Sequence, residues 1–117
     1  MKFIILSSSR GSTAKVVLER VNDGDVTMEC LGLVTDSDDR GCVSVVRDAG
    51  FPIYRVDREE GESREDYDKK IHEMILEAGG SPEDTVVAAL GWMFILSPWF
   101  VGQWPHRIIN EIGRAHV

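Results

Sequence analysis

A doubly wound α/β fold, with a mostly parallel sheet and helices on both faces, follows from three observations on this 117-residue sequence. Apolar runs of strand length alternate along the chain with apolar stripes at helical spacing. The runs are continuous rather than alternating with polar residues, which marks strands covered on both faces. Each strand leads through a polar or glycine-bearing turn into a helix, and that connection returns the next strand parallel to the last.

The elements follow in order. Phe3–Leu6 is the first strand, and Ser7–Thr13 is a small polar loop after it. Ala14, Val17, Leu18 and Val21 fall at i, i+3, i+4 and i+7, one face of a helix, and Asn22-Asp23-Gly24 turns the chain. Met28–Thr35 is the second strand, and Asp36–Arg40 is a charged loop. Cys42, Val45, Val46 and Ala49 mark a short helix that stops at Gly50. Pro52–Val56 is the third strand. Ser63, with Asp66 three residues on, has the spacing of a helix N-cap. The apolar face beyond it is Tyr67, Ile71, Met74, Ile75 and Ala78, and Gly79-Gly80 ends the helix. Thr85–Leu90 is the fourth strand. Ser97 caps a last helix with Pro98 at its first position, where a missing N–H is harmless. Pro105 closes it, and Arg107–Asn110 begins a fifth strand.

Composition bounds the function. The chain is 43% hydrophobic and 28% charged, as ordinary globular domains are, and its length suits one domain. A net charge of -7 argues against nucleic acid and anionic membranes as partners. It leaves small anions open, since helix N-termini bind them locally. Cys30 and Cys42 have no metal-ligand spacing and read as free thiols in a reducing, cytoplasmic setting, and no metal site is expected. Met1–Leu6 is too short an apolar run for a signal peptide. Gly91 and Ser97-Pro98 interrupt the apolar stretch Val86–Gly102, so a membrane span is not expected.

In doubly wound sheets ligands bind beyond the carboxyl ends of the strands. That rule selects Ser7–Thr13, Thr35–Arg40, Asp57–Arg64, Gly91–Leu96 and Asn110. Ser7–Thr13 (SSSRGST) precedes a helix, where backbone N–H groups favour a phosphate. A plain turn capped by Ser12 or Thr13 fits the pattern equally well. Arg64 is a cation in a first helical turn, slightly unfavourable against the dipole; it is either a solvated surface residue or one with an external partner. Gly91–Leu96 (GWMFIL) is too apolar for a surface loop. It suits core packing, an oligomer contact or a slot for a flat ring.

Three of these segments carry a resemblance. The run Gly91–Asn110 (GWMFILSPWFVGQWPHRIIN), the segment Ser63–Asp68 (SREDYD) and the loop Ser8–Thr13 (SSRGST) resemble the glycinamide ribonucleotide formyltransferases over residues 1–110. The resemblance implies an enzyme of purine synthesis that moves a formyl group from 10-formyltetrahydrofolate to the glycinamide amine. It implies that Gly11, Ser12 and Thr13 hold the ribose phosphate of glycinamide ribonucleotide, with Thr13 in place of the usual Asn. It implies that Arg64 contacts formyl-folate, and that the backbone of Met93, Phe94, Ile95 and Leu96 receives the pterin, with Phe94 in place of an Arg. Asn110 would contact the formyl-folate and donate to the formyl oxygen as negative charge develops there, beside a His and an Asp that share the proton work.

The family follows this Asn with an aliphatic residue and then His-Pro. Here Glu111 and Ile112 follow, so the His position holds Ile112. His72, His106 and His116 do not have its spacing. Glu111–Val117 reads as a non-native tail, an in-frame translation of a sequencing adapter, with 1–110 the amino-terminal part of a formyltransferase domain. The chain as written is expected to be inactive. Other readings stay open: a methionyl-tRNA or sugar formyltransferase, a formyl-folate hydrolase, or a non-enzymatic phosphate-binding α/β module. The Ser8–Thr13 loop argues against the first group, because it suits a ribose phosphate.

Overall fold

The computed structural model describes residues 1–111. Nine elements alternate as expected: β1 (Lys2–Leu6), α1 (Ser12–Asn22), β2 (Glu29–Thr35), α2 (Gly41–Asp48), β3 (Ile53–Arg55), α3 (Arg64–Glu77), β4 (Thr85–Leu90), α4 (Pro98–Gln103) and β5 (Ile108–Glu111). The sheet order is β3-β2-β1-β4-β5, and every pairing is parallel. The chain runs outward from β1 to β3, then returns to the other side of β1 for β4 and β5. The crevice where direction reverses therefore lies between β1 and β4, the ligand position of such sheets.

Two cores sandwich the sheet. Ile4, Leu6, Val87 and Ala89 pack against Tyr67, Ile71 and Ile75 of α3, Phe100 of α4 and Trp104 just after α4. Phe3, Ile5, Ala88 and Leu90 face Ala14 and Leu18 of α1 and Cys42, Val43 and Val46 of α2. The strands are covered on both faces, which is why their sequences are continuous apolar runs. β2 carries an irregularity that its sequence does not announce. Phe3 pairs with Cys30 but Ile5 pairs with Leu33, so one extra residue sits on β2 as a β-bulge. As a result Leu31 faces α3 and α4, while Leu33, two residues on, faces α1 and α2.

Local signals place the helices on the α3–α4 face. Ser63 Oγ accepts from the Asp66 N–H at 3.1 Å, and Ser97 Oγ accepts from the Phe100 N–H at 3.2 Å with Pro98 first in the helix. Such caps contribute about 1 kcal/mol each. The start of α1 differs from the expected side-chain cap. Its N-cap is Gly11, left-handed at φ 89°, and no side chain caps it, because Ser12 and Thr13 already lie inside the helix. β3 is shorter than Pro52–Val56; Pro52 has no N–H to pair, and it joins the ladder only through its carbonyl, which accepts from Leu33 N–H at 3.0 Å. β5 runs one residue past Asn110, and Gly91 N–H donates to the Glu111 carbonyl at 3.3 Å.

Candidate active site at the β1–β4 crevice

The five segments selected from the sequence lie at the carboxyl ends of β1, β2, β3, β4 and β5, and parallel pairing brings those ends to one edge. Two of them meet directly. The Ser8 hydroxyl accepts from Met93 N–H at 2.9 Å and donates to the Gly91 carbonyl at 3.3 Å. Ser8 N–H reaches the same carbonyl at 3.2 Å. Gly91 is left-handed at φ 78°, and a Cβ there would stand 2.4 Å from Ser9 Oγ, so the approach of the two loops requires glycine.

The Ser7–Thr13 loop is organised by its own hydroxyls. Ser7 Oγ accepts from Ser9 N–H at 3.3 Å, and Ser9 Oγ accepts from Gly11 N–H at 3.2 Å. The Gly11 carbonyl accepts from Lys15 N–H at 2.8 Å. Gly11 therefore contributes shape rather than an N–H. A Cβ on it would sit 2.7 Å from Cys42 Cα, so substitution at Gly11 disturbs packing on α2 whatever the ligand. The N–H groups of Ser12, Thr13 and Ala14 open α1 with no partner among the described residues, the donor set that a helix start offers an anion. One side chain intrudes: Thr13 Oγ1 donates to Glu111 Oε1 at 3.4 Å.

The segment after β4 is an aromatic tier with an apolar rim. Trp92 lies parallel to Tyr67 at 6.3 Å between centroids, 5° between planes. Phe94 meets both edge-on, at 5.9 Å from Tyr67 and 5.0 Å from Trp92. The Arg58 guanidinium lies over Phe94 at 5.6 Å and over Tyr67 at 5.9 Å. Where the resembled family has an Arg, Phe94 thus turns into the core edge, and a different Arg covers it. Met93 and Ile95 point outward, 73% and 69% exposed. Met93 N–H is consumed by Ser8, which narrows the expected backbone contacts. The N–H groups of Phe94, Ile95 and Leu96 are unpartnered among the described residues. Arg64 opens α3 one turn before Tyr67 and Asp68, which places it on the same helix side. Asp68 is buried, and its Oδ2 accepts from Ser97 N–H at 2.7 Å.

Around the edge, Arg40 grips Asp36 through two bonds, at 3.1 and 2.7 Å, and Arg55 pairs with Asp57 and Asp38. These cations are held above their usual range by those carboxylates. Cys30 and Cys42 are buried and unpaired, and burial pushes the Cys30 thiol up to about 11, so it is an inert core group. No group of metal-ligating residues occurs among the described residues. No helix among them is long and apolar enough to cross a membrane. Asn110 is exposed on β5, paired in register with Ala89. Ile112, two positions on, and His116 lie outside the described residues. Sequence reasoning missed Ser8, Arg58, Asp68 and Glu111; Ser8 and Arg58 stand inside segments it had selected, and Asp68 ends the resembling segment Ser63–Asp68.

A parallel sheet that reverses direction at β1–β4, with helices on both faces, defines a Rossmann-like α/β domain. Residues 1–111 match the formyl transferase family, and the chain belongs to that family. A curated relative, the phosphoribosylglycinamide formyltransferase of Escherichia coli (strain K12), is 29% identical over 111 residues, covering 94% of this chain and 50% of the relative. Among solved structures, glycinamide ribonucleotide transformylase 1 from Symbiobacterium toebii superposes with a TM-score of 0.84 at 21% identity, covering 94% of this chain and 50% of that one. Phosphoribosylglycinamide formyltransferase from Bacillus halodurans gives 0.82 at 23%, covering 94% and 55%. These likenesses bear out the expected fold. The chain spans about half the length of the relatives it matches.

Proposed function

We propose that this chain supplies the phosphate- and folate-binding part of a phosphoribosylglycinamide formyltransferase, which moves a formyl group from 10-formyltetrahydrofolate to the amine of glycinamide ribonucleotide. The observation that carries this reading is that three features stand along the carboxyl edge of one parallel sheet. They are the free N–H groups opening α1, the unpartnered peptide groups of Phe94–Leu96 with Met93 and Ile95 as an apolar rim, and Asn110 at the end of β5. A bare phosphate module needs only the first.

In this reading Ser12 and Thr13 hold the ribose phosphate through backbone N–H groups, with Gly11 giving the turn its shape. The peptide groups of Phe94–Leu96 take the polar edge of a flat ring, and the carbonyl of Met93 remains open to it. Arg64 suits an anionic end of the same ligand. The formyl-folate cosubstrate supplies the electrophilic carbon when bound. Asn110 offers an amide N–H to the formyl oxygen, where charge builds as the amine adds. Ile112 carries no proton at the position after Glu111, and loss of an acid–base His costs about 10²–10⁴-fold. The 117-residue chain is therefore proposed to bind without turning over.

Calorimetric titration of the purified chain with folinic acid and, separately, ribose 5-phosphate tests the reading. Binding of both, with no formyl transfer, is expected. Binding of ribose 5-phosphate alone would identify a bare phosphate module instead.

A further inference from the structure

Asp68 is the buried carboxylate of the described residues, 1% exposed, and none of the ion pairs among them includes it. Burying a carboxylate is unfavourable unless a hydrogen bond compensates. Its compensating bond goes to a chosen place, the N–H of Ser97, where the segment after β4 ends. The start of the same segment is fixed with equal economy, since the Ser8 hydroxyl both accepts from Met93 N–H and donates to the Gly91 carbonyl. Between these two points the chain has no regular structure. Its half-buried side chains, Phe94 and Leu96, pack inward, and its three free peptide N–H groups lie there. A stretch without internal hydrogen bonds keeps one conformation only if its ends are held.

We propose that Ser8 and Asp68 are positioning residues that clamp the two ends of Gly91–Ser97, so that the peptide groups of Phe94, Ile95 and Leu96 are preset for a ring ligand. The ring-ligand half of this proposal rests on the formyl-folate reading. The carboxylate acts through Ser97 and touches no substrate. It preorganises the ring-ligand site, so its removal lowers affinity on the folate side only.

The test uses the full 117-residue chain, with Asp68→Ala, Asp68→Asn and Ser8→Ala variants, read by two titrations and by amide hydrogen exchange without ligand. Asp68→Ala should weaken folinic acid by about tenfold or more and leave ribose 5-phosphate unchanged. Asp68→Asn keeps an acceptor oxygen and should recover most of the affinity. The bonded amide at the opposite end should exchange faster, Met93 in Asp68→Ala and Ser97 in Ser8→Ala, while those of β1 and β4 should not. If Asp68→Ala does not fold, Ser8→Ala carries the same test from the other end. Unchanged exchange at that opposite-end amide, or a parallel loss of both ligands with faster exchange throughout the sheet, overturns the clamp. If the unaltered chain binds no folinic acid, the formyl-folate reading fails by itself, and the exchange pattern alone decides the clamp.

Discussion

Thr13 and Glu111 are separated by most of the chain and joined by one hydroxyl–carboxylate bond at 3.4 Å. The carboxylate stands where a phosphate on the α1 donors would also want that hydroxyl, and it carries the same sign of charge. A like charge at such range costs about 1 kcal/mol where water dominates the dielectric, and less at high salt. Replacing the side chain, Glu111→Ile, should tighten ribose 5-phosphate by roughly fivefold at low ionic strength, with the gain shrinking as salt rises; titration at two salt concentrations checks it. An unchanged affinity would mean that the phosphate sits away from Thr13. Residues of this kind are poorly legible in a sequence. Ser8 is one serine among several, and its partner Met93 lies 85 residues on. Asp68 reads as another charge on a charged helix until Ser97 is placed against it. Arg64, Gly11 and Asn110 were legible only because short segments around them resemble a family.

At the scale of elements, α3 and α4 are joined through an aromatic seam. Trp104 Nε1 donates to His72 Nδ1 at 3.1 Å, and the His72 ring meets Trp104 and Trp99 edge-on at 5.5 and 5.3 Å. Burial holds the His72 pKa below its ordinary 6.5, and protonation of Nδ1 would remove the acceptor that Trp104 uses. The unfolded chain takes up that proton first as pH falls. Stability should therefore decline below about pH 6.5 and level off once the folded pKa is passed. Urea midpoints measured from about pH 7.5 to 5 should show this slope, and His72→Gln should flatten it. Equal slopes in both proteins would remove His72 from the account. Helix ends were legible in the sequence because their signals are local: Ser63, Ser97, Gly79-Gly80 and Pro105. The start of α1 was not, since a left-handed Gly11 replaced the expected hydroxyl cap. The seam was not legible either, because helical spacing reports a buried face without naming what covers it.

At the scale of the molecule, alternating elements announced a parallel sheet, but not that β4 would return beside β1 and leave β3 and β5 as edges. That outcome depends on crossovers spanning whole helices. On β5 the edge is apolar, with Ile109 59% exposed, and unpaired apolar edges promote association. The chain should self-associate with rising concentration, and Ile109→Lys should shift it toward monomer in sedimentation velocity; monomeric behaviour of both forms would show the edge to be harmless. The bulge in β2 has a further consequence of a different kind. A strand has a phase, much as a coding sequence has a reading frame, and the extra residue between Cys30 and Leu33 sets that phase for everything downstream. Loops such as Asp36–Arg40 tolerate changes of length, because slack absorbs them. Loss of a single residue at the bulge would instead turn Leu33 and Val34 to opposite sides, send the Thr35 hydroxyl into the other core, and deliver Asp36 to the wrong side of the crevice. A change of length is therefore tolerated between the strands of this chain and disruptive within this one, where parity rather than composition is what the position requires.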